Sequence, residues 1–203
     1  MEGLQNKRTR VDDTDQKDGS DVIILLDESG SMEDQEQSII PAVQQALCSL
    51  ARMVPSPNEL SVKVFCFADE MRLVCDNTLG AIDEMRMLTK EGVAYSPHGT
   101  TSLYDAILEG LEHCASHATL LVATDGENTT GHHTQETARK ALAKAQQGPR
   151  RIKVIWLAEG SGAALEGKAL GLDVRTDCEH MSLSQALAAP EIHAQLSQSV
   201  AME

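Results

Sequence analysis

The chain has 203 residues, which fits one domain with a tail, and its 17 basic and 31 acidic residues give a net charge of −14. This excess of negative charge argues against a protein that binds duplex nucleic acid, because such proteins need a basic face. Aromatic residues make up 2% of the sequence, so the core must be aliphatic, which suits an α/β domain better than a carbohydrate-binding β-sandwich.

The first 20 residues are polar and charged without any period, and they predict a disordered tail before a domain at 21–203. No apolar stretch approaches the roughly 20 residues that span a bilayer, and no signal-peptide pattern is visible. The five cysteines form no CxxC pair, which is typical of reduced thiols. We therefore expect a cytoplasmic protein without membrane insertion.

Short apolar runs alternate with helical periods along the rest of the chain. The run at 22–26 is β-branched and aliphatic throughout, which indicates a strand buried on both faces of a parallel sheet. The other predicted elements are a helix at 34–53, a hairpin at 61–67 and 71–75, a brief helix at 80–88, a helix from 103 to 114, a strand at 118–124, a helix at 134–147, a strand at 152–158, a helix at 162–170, a short strand at 173–176, and a helical stretch from 182 that Pro190 divides.

This alternation predicts the fold class. We expect a doubly wound α/β domain whose central sheet is mostly parallel, with one antiparallel hairpin strand and helices on both faces. Ligands of such sheets bind at the carboxyl ends of the strands, near the point where the strand order reverses. Candidate functional residues should therefore lie directly after the strands.

Oxygen-bearing side chains do cluster at these positions. Asp27, Ser29 and Ser31 alternate along the loop after the first strand, so their side chains can converge on one point. Asp125 directly follows the strand at 118–124. Such an all-oxygen set suits a hard divalent cation, and two carboxylates with a few hydroxyls leave a position open on Mg²⁺ for an outside oxygen donor.

The order of these motifs resembles the signature of a von Willebrand factor A (VWA) domain of the intracellular type, with its metal-ion-dependent adhesion site (MIDAS). That signature is Asp-x-Ser-x-Ser after the first strand, a distant Thr, and a distant Asp after a later strand, and the resemblance covers about residues 20–200. It implies metal ligation by Asp27, Ser29, Ser31, Thr101 and Asp125, with Gly30, Thr100, Asp105 and Gly126 close to the metal or peripheral.

Several of these roles remain open in the sequence. Alignment on residues 103–105 favours Thr101 over Thr100 as the ligand. Asp105 either stabilises the N-terminus of its helix as a first-turn acid or bonds the loops of the site. Glu28 and Glu127 are expected to be solvated or peripheral.

The resemblance implies a non-enzymatic module. It would hold Mg²⁺ or Mn²⁺, with Ca²⁺ less favoured, and would bind an Asp or Glu side chain of a partner protein through the ion. The implied role is that of an adaptor or assembly factor in an intracellular complex, with an AAA+ ATPase among the candidate partners. The charge of −14 then requires a partner that is basic around its one acidic ligand residue. The 182–200 segment either shifts upon ligand binding or simply covers the sheet.

Three alternatives compete with this hypothesis. A metal-dependent phosphatase or phosphotransferase would use Asp27 as its nucleophile, but position 29 is serine where such enzymes place a general acid. A bound ion could instead only brace the loops. Finally, residues 162–168 match the first seven positions of a P-loop, but Ala169 replaces the hydroxyl that binds Mg²⁺, and the intervening residues favour a helix.

Overall fold

The computed structural model describes residues 20–84, 95–174 and 181–200. These residues form a five-stranded sheet in the order β3-β2-β1-β4-β5, with helices packed on it. The predicted α/β fold is confirmed. The strands are β1 (Ser20–Asp27), β2 (Ser61–Phe67), β3 (Met71–Thr78), β4 (His117–Thr124) and β5 (Lys153–Ala158). The α-helices are α1 (Ile39–Met53), α2 (Leu103–His113), α3 (Gln135–Gln147), α4 (Gly160–Ala169), α5 (Leu183–Ala188) and α6 (Pro190–Val200), and 3-10 helices lie at Gly30–Gln35 and Leu79–Glu84.

The central strand β1 pairs in parallel with β2 on one side and with β4 on the other. Strand β5 continues the sheet in parallel beyond β4, and β3 is the one antiparallel strand, joined to β2 by the predicted hairpin. All five residues at 22–26 are at most 1% exposed, because helices cover both faces of β1. This is the burial that a continuous apolar run indicates.

Alternate residues of β1 face two separate cores. Val22, Ile24 and Leu26 pack with α1, α5 and α6 on one face. Ile23 and Leu25 pack with α2, α3 and α4 on the other face. The helical layers on both faces follow the prediction, and the C-terminal helices complete one of them.

Helix α1 begins later than the sequence indicated. The prediction started it at 34, whereas the structure places a 3-10 helix at Gly30–Gln35 and begins α1 at Ile39. Pro41 explains the difference. A helix from residue 34 would place this proline in its interior, where it lacks a backbone donor and clashes with the preceding turn. A start at Ile39 puts Pro41 in the first turn, whose N–H groups have no helical partner.

The C-terminal stretch is divided at Pro190 as predicted. Ser182 and Gln185 form a capping box at the start of α5, and Pro190 is the first residue of α6, where its missing N–H costs nothing. His193 bonds through Nε2 to the carbonyl oxygen of Leu187 at 2.9 Å, which ties the two helices together. The C-terminal segment is therefore a packed helical pair.

The predicted strand at 173–176 is not found where the structure can test it. Asp173 and Val174 belong to no strand, and residues 175 and 176 lie outside the described residues. Val174 packs instead against the core that contains Trp156. Residues 1–19 of the predicted tail and 85–88 of the predicted brief helix also lie outside the described residues, while β1 already includes Ser20.

The P-loop-like segment is part of α4, as its composition indicated. Its Gly167 lies against the ring of Trp156, and a Cβ at this position would come within 2.5 Å of the indole nitrogen. That nitrogen donates a hydrogen bond to the carbonyl oxygen of Ala163 at 3.1 Å. Gly167 therefore allows close packing of helix and strand. None of the helices in the described ranges combines the length and apolarity needed to cross a membrane.

Candidate metal centre

The sequence-predicted site residues lie where the strand order reverses. The chain moves from β1 to β2 on one side of the sheet, and the later strand β4 pairs with β1 on its other side. Asp27 is the last residue of β1, and Asp125 directly follows β4. A crevice at the carboxyl ends of such strands is the usual ligand site of open α/β sheets.

Asp27 lies at the base of this cluster and is fully buried, with 0% exposure. One carboxylate oxygen accepts the backbone N–H of Ser29 at 2.9 Å, and the other accepts the hydroxyl of Thr124 at 2.5 Å. Burial raises the pKa of Asp27, while the hydrogen bonds from Ser29 and Thr124 oppose this shift. The loop after β1 is thereby folded back over its own strand end.

Two serines connect Asp27 to the other carboxylate. The hydroxyl oxygens of Ser29 and Ser31 lie 3.1 Å apart. Ser31 donates a hydrogen bond to Asp125 at 2.8 Å, across 94 residues of sequence. Burial raises the pKa of Asp125, and the hydrogen bond from Ser31 partly opposes it. The backbone N–H of Gly30 donates to the carbonyl oxygen of Gly99 at 3.3 Å, which holds the loop against residues 95–100.

The two neighbouring threonines face different partners. The Thr101 hydroxyl would lie 3.6 Å from a Cβ built on Gly126, and the Ser31 hydroxyl would lie 3.9 Å from the same point. Gly126 thus leaves room beside both hydroxyls. Thr100 instead donates to the carboxylate of Asp69 through its hydroxyl, and through its backbone N–H at 3.0 Å. The geometry therefore favours Thr101 as a member of the cluster.

Asp105 braces the loop that follows Asp125. Its carboxylate accepts the backbone N–H groups of His132 and His133, at 2.8 and 2.9 Å, and the ring Nδ1 of His133 lies 2.8 Å away. Burial opposes ionisation here, but these hydrogen bonds outweigh it and lower the pKa of Asp105. The sequence left open whether Asp105 stabilises the start of its helix or bonds the loops of the site. Its hydrogen bonds are to the loop.

The sequence left Glu28 as either solvated or peripheral to the site, and the structure shows that it is not solvated. Glu28 is 2% exposed and forms an ion pair with Arg72 of β3. Its side chain points away from Asp27 and Ser29 because neighbouring residues of an extended chain face opposite sides. A buried carboxylate needs a partner, and that partner lies 44 residues away on β3, a strand that does not pair with β1. Glu127 is exposed.

Sequence reasoning also missed Asp69 and Arg72. Both lie at the β2–β3 hairpin and contact the site loops through Thr100 and Glu28. The only available signal was the position of the hairpin next to the first strand. Neither residue belongs to the Asp-x-Ser-x-Ser motif or to its distant partners.

The donor set fits a hard divalent cation. The cluster offers two carboxylates and three hydroxyls, from Asp27, Asp125, Ser29, Ser31 and Thr101. In the described ranges, His, Cys, Asp and Glu nowhere gather in groups of three or more that could hold a metal, so hydroxyl oxygens are essential to this set. Burial raises the pKa of both carboxyl groups, and a cation beside them would offset the cost of their buried charge.

The family model of the von Willebrand factor type A domain matches residues 21–165 of this chain. The chain belongs to the VWA family. Comparison with curated proteins gives no significant match.

Solved structures share the fold of this VWA domain. A von Willebrand factor type A protein from Catenulispora acidiphila is 15% identical, with a TM-score of 0.59, and the match covers 91% of this chain and 43% of that one. Proximal thread matrix protein 1 from the mussel byssus is 16% identical with a TM-score of 0.58, over 90% and 46% of the two chains. BatB from Bacteroides thetaiotaomicron is 23% identical with a TM-score of 0.52, over 90% and 97%. The VWA domain thus spans less than half the length of the first two proteins.

Without metal, the raised pKa of Asp125 should make this residue less favourable to the stability of the VWA domain at neutral than at acidic pH. The pKa of Asp125 is raised above 3.8 in the folded state, so its contribution to stability is present below the unfolded pKa and is lost as the pH rises. We expect Asp125→Asn to raise the melting temperature near pH 7 in EDTA, and this gain to vanish below about pH 4. Thermal unfolding followed by circular dichroism measures it.

Asp105→Asn is the matched control, and its expected change in melting temperature near pH 7 has the opposite sign. The pKa of Asp105 is lowered, so its contribution is present above the unfolded pKa and is lost as the pH falls. This variant should melt below the wild type near pH 7, and the difference should shrink toward about pH 3. An Asp125→Asn shift that stays constant over the whole pH range contradicts the prediction.

Proposed function

We propose that this VWA domain binds a divalent cation through Asp27, Ser29, Ser31, Thr101 and Asp125, and that it binds an acidic side chain of a protein partner through the ion. The observation that carries the proposal is the hydrogen bond from Ser31 to Asp125, which joins the two halves of the motif across 94 residues. When bound, the ion supplies an electrophilic site for an oxygen ligand. Mg²⁺ or Mn²⁺ suits this set better than Ca²⁺, which takes more oxygen ligands.

The chain's own residues determine how such a centre is built. Asp27 already accepts hydrogen bonds at both oxygens, so its main contribution is to orient Ser29 and to supply negative charge. Ser31 is exposed and Asp125 is half-buried, so these side chains form the solvent-facing side of the cluster. A partner would approach from this side.

The surroundings of the cluster define the partner's chemistry. The four segments that border it, 27–37, 67–71, 95–105 and 124–134, contain no lysine or arginine. Exposed carboxylates lie on three of them, at Glu33, Asp34, Glu36, Asp69, Glu70 and Glu127. The field of an ion acts over a few ångströms, whereas exposed charges are screened beyond about 8 Å at physiological salt. We therefore propose a partner whose one acidic residue is surrounded by lysine or arginine.

A phosphatase or phosphotransferase mechanism is the second candidate, and the geometry of Asp27 does not favour it. An attacking carboxylate needs an accessible oxygen. Asp27 is 0% exposed, and both its oxygens accept hydrogen bonds within the protein. VWA domains are generally interaction modules, and we propose such a role here. An adaptor role in an intracellular complex with an AAA+ ATPase extends this proposal and is supported by the family resemblance alone.

Metal-dependent binding of a carboxylate is the test. The probe is a fluorescent peptide with one glutamate between lysines, and its matched control has glutamine instead. We expect anisotropy to rise for the glutamate peptide in Mg²⁺ or Mn²⁺, and not in EDTA or with Asp125→Ala. In the same buffers, a metal at about 100 times its Kd should stabilise the wild type against unfolding by roughly 2.7 kcal/mol.

The two readouts separate the parts of the proposal. Metal stabilisation without peptide binding would show a centre that only braces the loops. Peptide binding that persists in EDTA would show a charge contact unrelated to the metal. If neither appears with the wild type at millimolar metal, the proposed function is wrong.

A further inference from the structure

Glu28 lies between two proposed ligands, yet its carboxylate is part of no ligand set. It is the x residue of Asp27-x-Ser29, it is 2% exposed, and it points away from the cluster toward β3. A charge at such a position is costly unless it is paired and hydrogen-bonded. The hydrogen bonds and the ion pair of Glu28 therefore indicate its role.

Glu28 is held at both its backbone and its side chain. Its backbone N–H donates to the carbonyl oxygen of Phe67 at 2.7 Å, and its own carbonyl oxygen accepts the N–H of His98 at 2.9 Å. Its carboxylate accepts the N–H of Ser96 at 2.5 Å. It also accepts two N–H groups from the guanidinium of Arg72, the one from Nε at 2.9 Å. One residue thus joins the metal loop to the end of β2, to β3 and to the 95–100 segment.

Arg72 reaches this position from the edge of the sheet. It pairs with Cys66 of β2, and its side chain is 39% exposed, whereas the carboxylate that it binds is buried. A two-pronged guanidinium contact fixes orientation as well as charge, which a lysine cannot reproduce. Without Arg72, the carboxylate of Glu28 would be a buried charge without its counter-ion. It could regain solvation only if the Asp27–Ser31 loop that carries it moved.

We propose that Glu28 and Arg72 are positioning residues, whose ion pair holds the Asp27–Ser31 loop against the 95–100 segment and so sets the metal affinity of the centre without supplying a ligand. The inference rests on the proposed function, because it concerns the same centre. Partners that orient metal ligands from outside typically change metal affinity by about 10–100-fold when they are removed.

The direction in which the metal Kd changes on substitution of Arg72 distinguishes a positioning role from an effect of charge alone. Arg72→Ala removes a positive charge near a cation site, which by itself should strengthen metal binding. Loss of positioning should weaken it. We therefore expect the Kd for Mn²⁺, measured by calorimetry on the folded full chain, to rise about tenfold or more in Arg72→Ala. Arg72→Lys keeps the charge and loses the fork, so its Kd should lie between those of Arg72→Ala and the wild type.

The control is Arg139→Ala, which breaks an exposed ion pair with Glu136 on α3 and should leave the Kd unchanged. If Arg72→Ala does not fold, Arg72→Gln carries the same test of sign. A lower melting temperature with an unchanged or smaller Kd overturns the proposal and leaves a structural role only. A wild-type chain that binds no Mn²⁺ overturns the proposed function, and this inference with it.

Discussion

A chain that ends at Met181, without α5 and α6, is expected to lose cooperative folding. Leu183, Leu187, Ile192 and Leu196 are each at most 1% exposed and belong to the core between the sheet and α1. Burial of such side chains contributes about 1.5–3 kcal/mol each, so the four together contribute about 6–12 kcal/mol. This is comparable with the whole free energy of unfolding of a domain, about 5–15 kcal/mol. Urea unfolding followed by circular dichroism is the measurement.

Deletion of residues 1–19 is the matched control, because the prediction of a tail requires that it leave the unfolding midpoint nearly unchanged. The single substitution Leu196→Ala should lie between the two deletions, with a loss of about 2–5 kcal/mol. If the truncated chain unfolds with the wild-type midpoint, the region that matches the VWA family model, residues 21–165, folds without the C-terminal helices. This result would also refute the packing role assigned to α5 and α6.

Trp156→Ala is expected to destabilise the domain by about 3–5 kcal/mol. The side chain is 2% exposed and packs between β5 and α4, where Gly167 leaves room for its ring. Truncation removes the largest side chain of this core and its hydrogen bond to Ala163. The substitution would leave a cavity in the core that Trp156 shares with α3 and α4. Surrounding side chains relax only partly into such a cavity, which adds to the loss of stability. The free energy of unfolding from urea titration gives the loss directly.

Leu165→Ala is the control on the same helix, since Leu165 is 62% exposed and should change stability by no more than about 0.5 kcal/mol. Trp156→Phe keeps most of the apolar volume and should cost less than Trp156→Ala. Equal losses from the phenylalanine and alanine variants would mean that the hydrogen bond, rather than packing, carries the contribution of Trp156.

Local pattern was sufficient to predict much of the fold. The apolar runs at 22–26, 118–124 and 152–158 are strands because burial on both faces demands continuous aliphatic side chains, and this requirement is visible in a short window. The position of the candidate site followed from a second general rule, since residues directly after neighbouring parallel strands lie at one edge of the sheet. Neither argument needs knowledge of distant contacts.

The sequence-based predictions differ from the structure where contacts with residues distant in the sequence determine the outcome. A glutamate between two polar loop residues looks solvated in sequence, and only the proximity of Arg72, which follows from the β2–β3 register, makes its burial tolerable. The choice between Thr100 and Thr101 depends likewise on Asp69. The short pattern at 173–176 resembles a strand locally, but Val174 packs against the core that contains Trp156 instead. Each of these outcomes is set by a partner that lies 18 or more residues away along the chain.

The central pairing of β1 with β4 has a consequence for ion selectivity. The two proposed carboxylate ligands come from adjacent hydrogen-bonded strands, with Leu26 in register with Ala123 just before them. The separation of the backbones that carry Asp27 and Asp125 is thus restrained by the spacing of two strands that are buried on both faces. An ion held between these two residues would therefore be bound by side chains whose backbones the buried sheet restrains. Any discrimination by ionic size at the proposed centre would then depend in part on the hydrophobic core, whose side chains are not ligands.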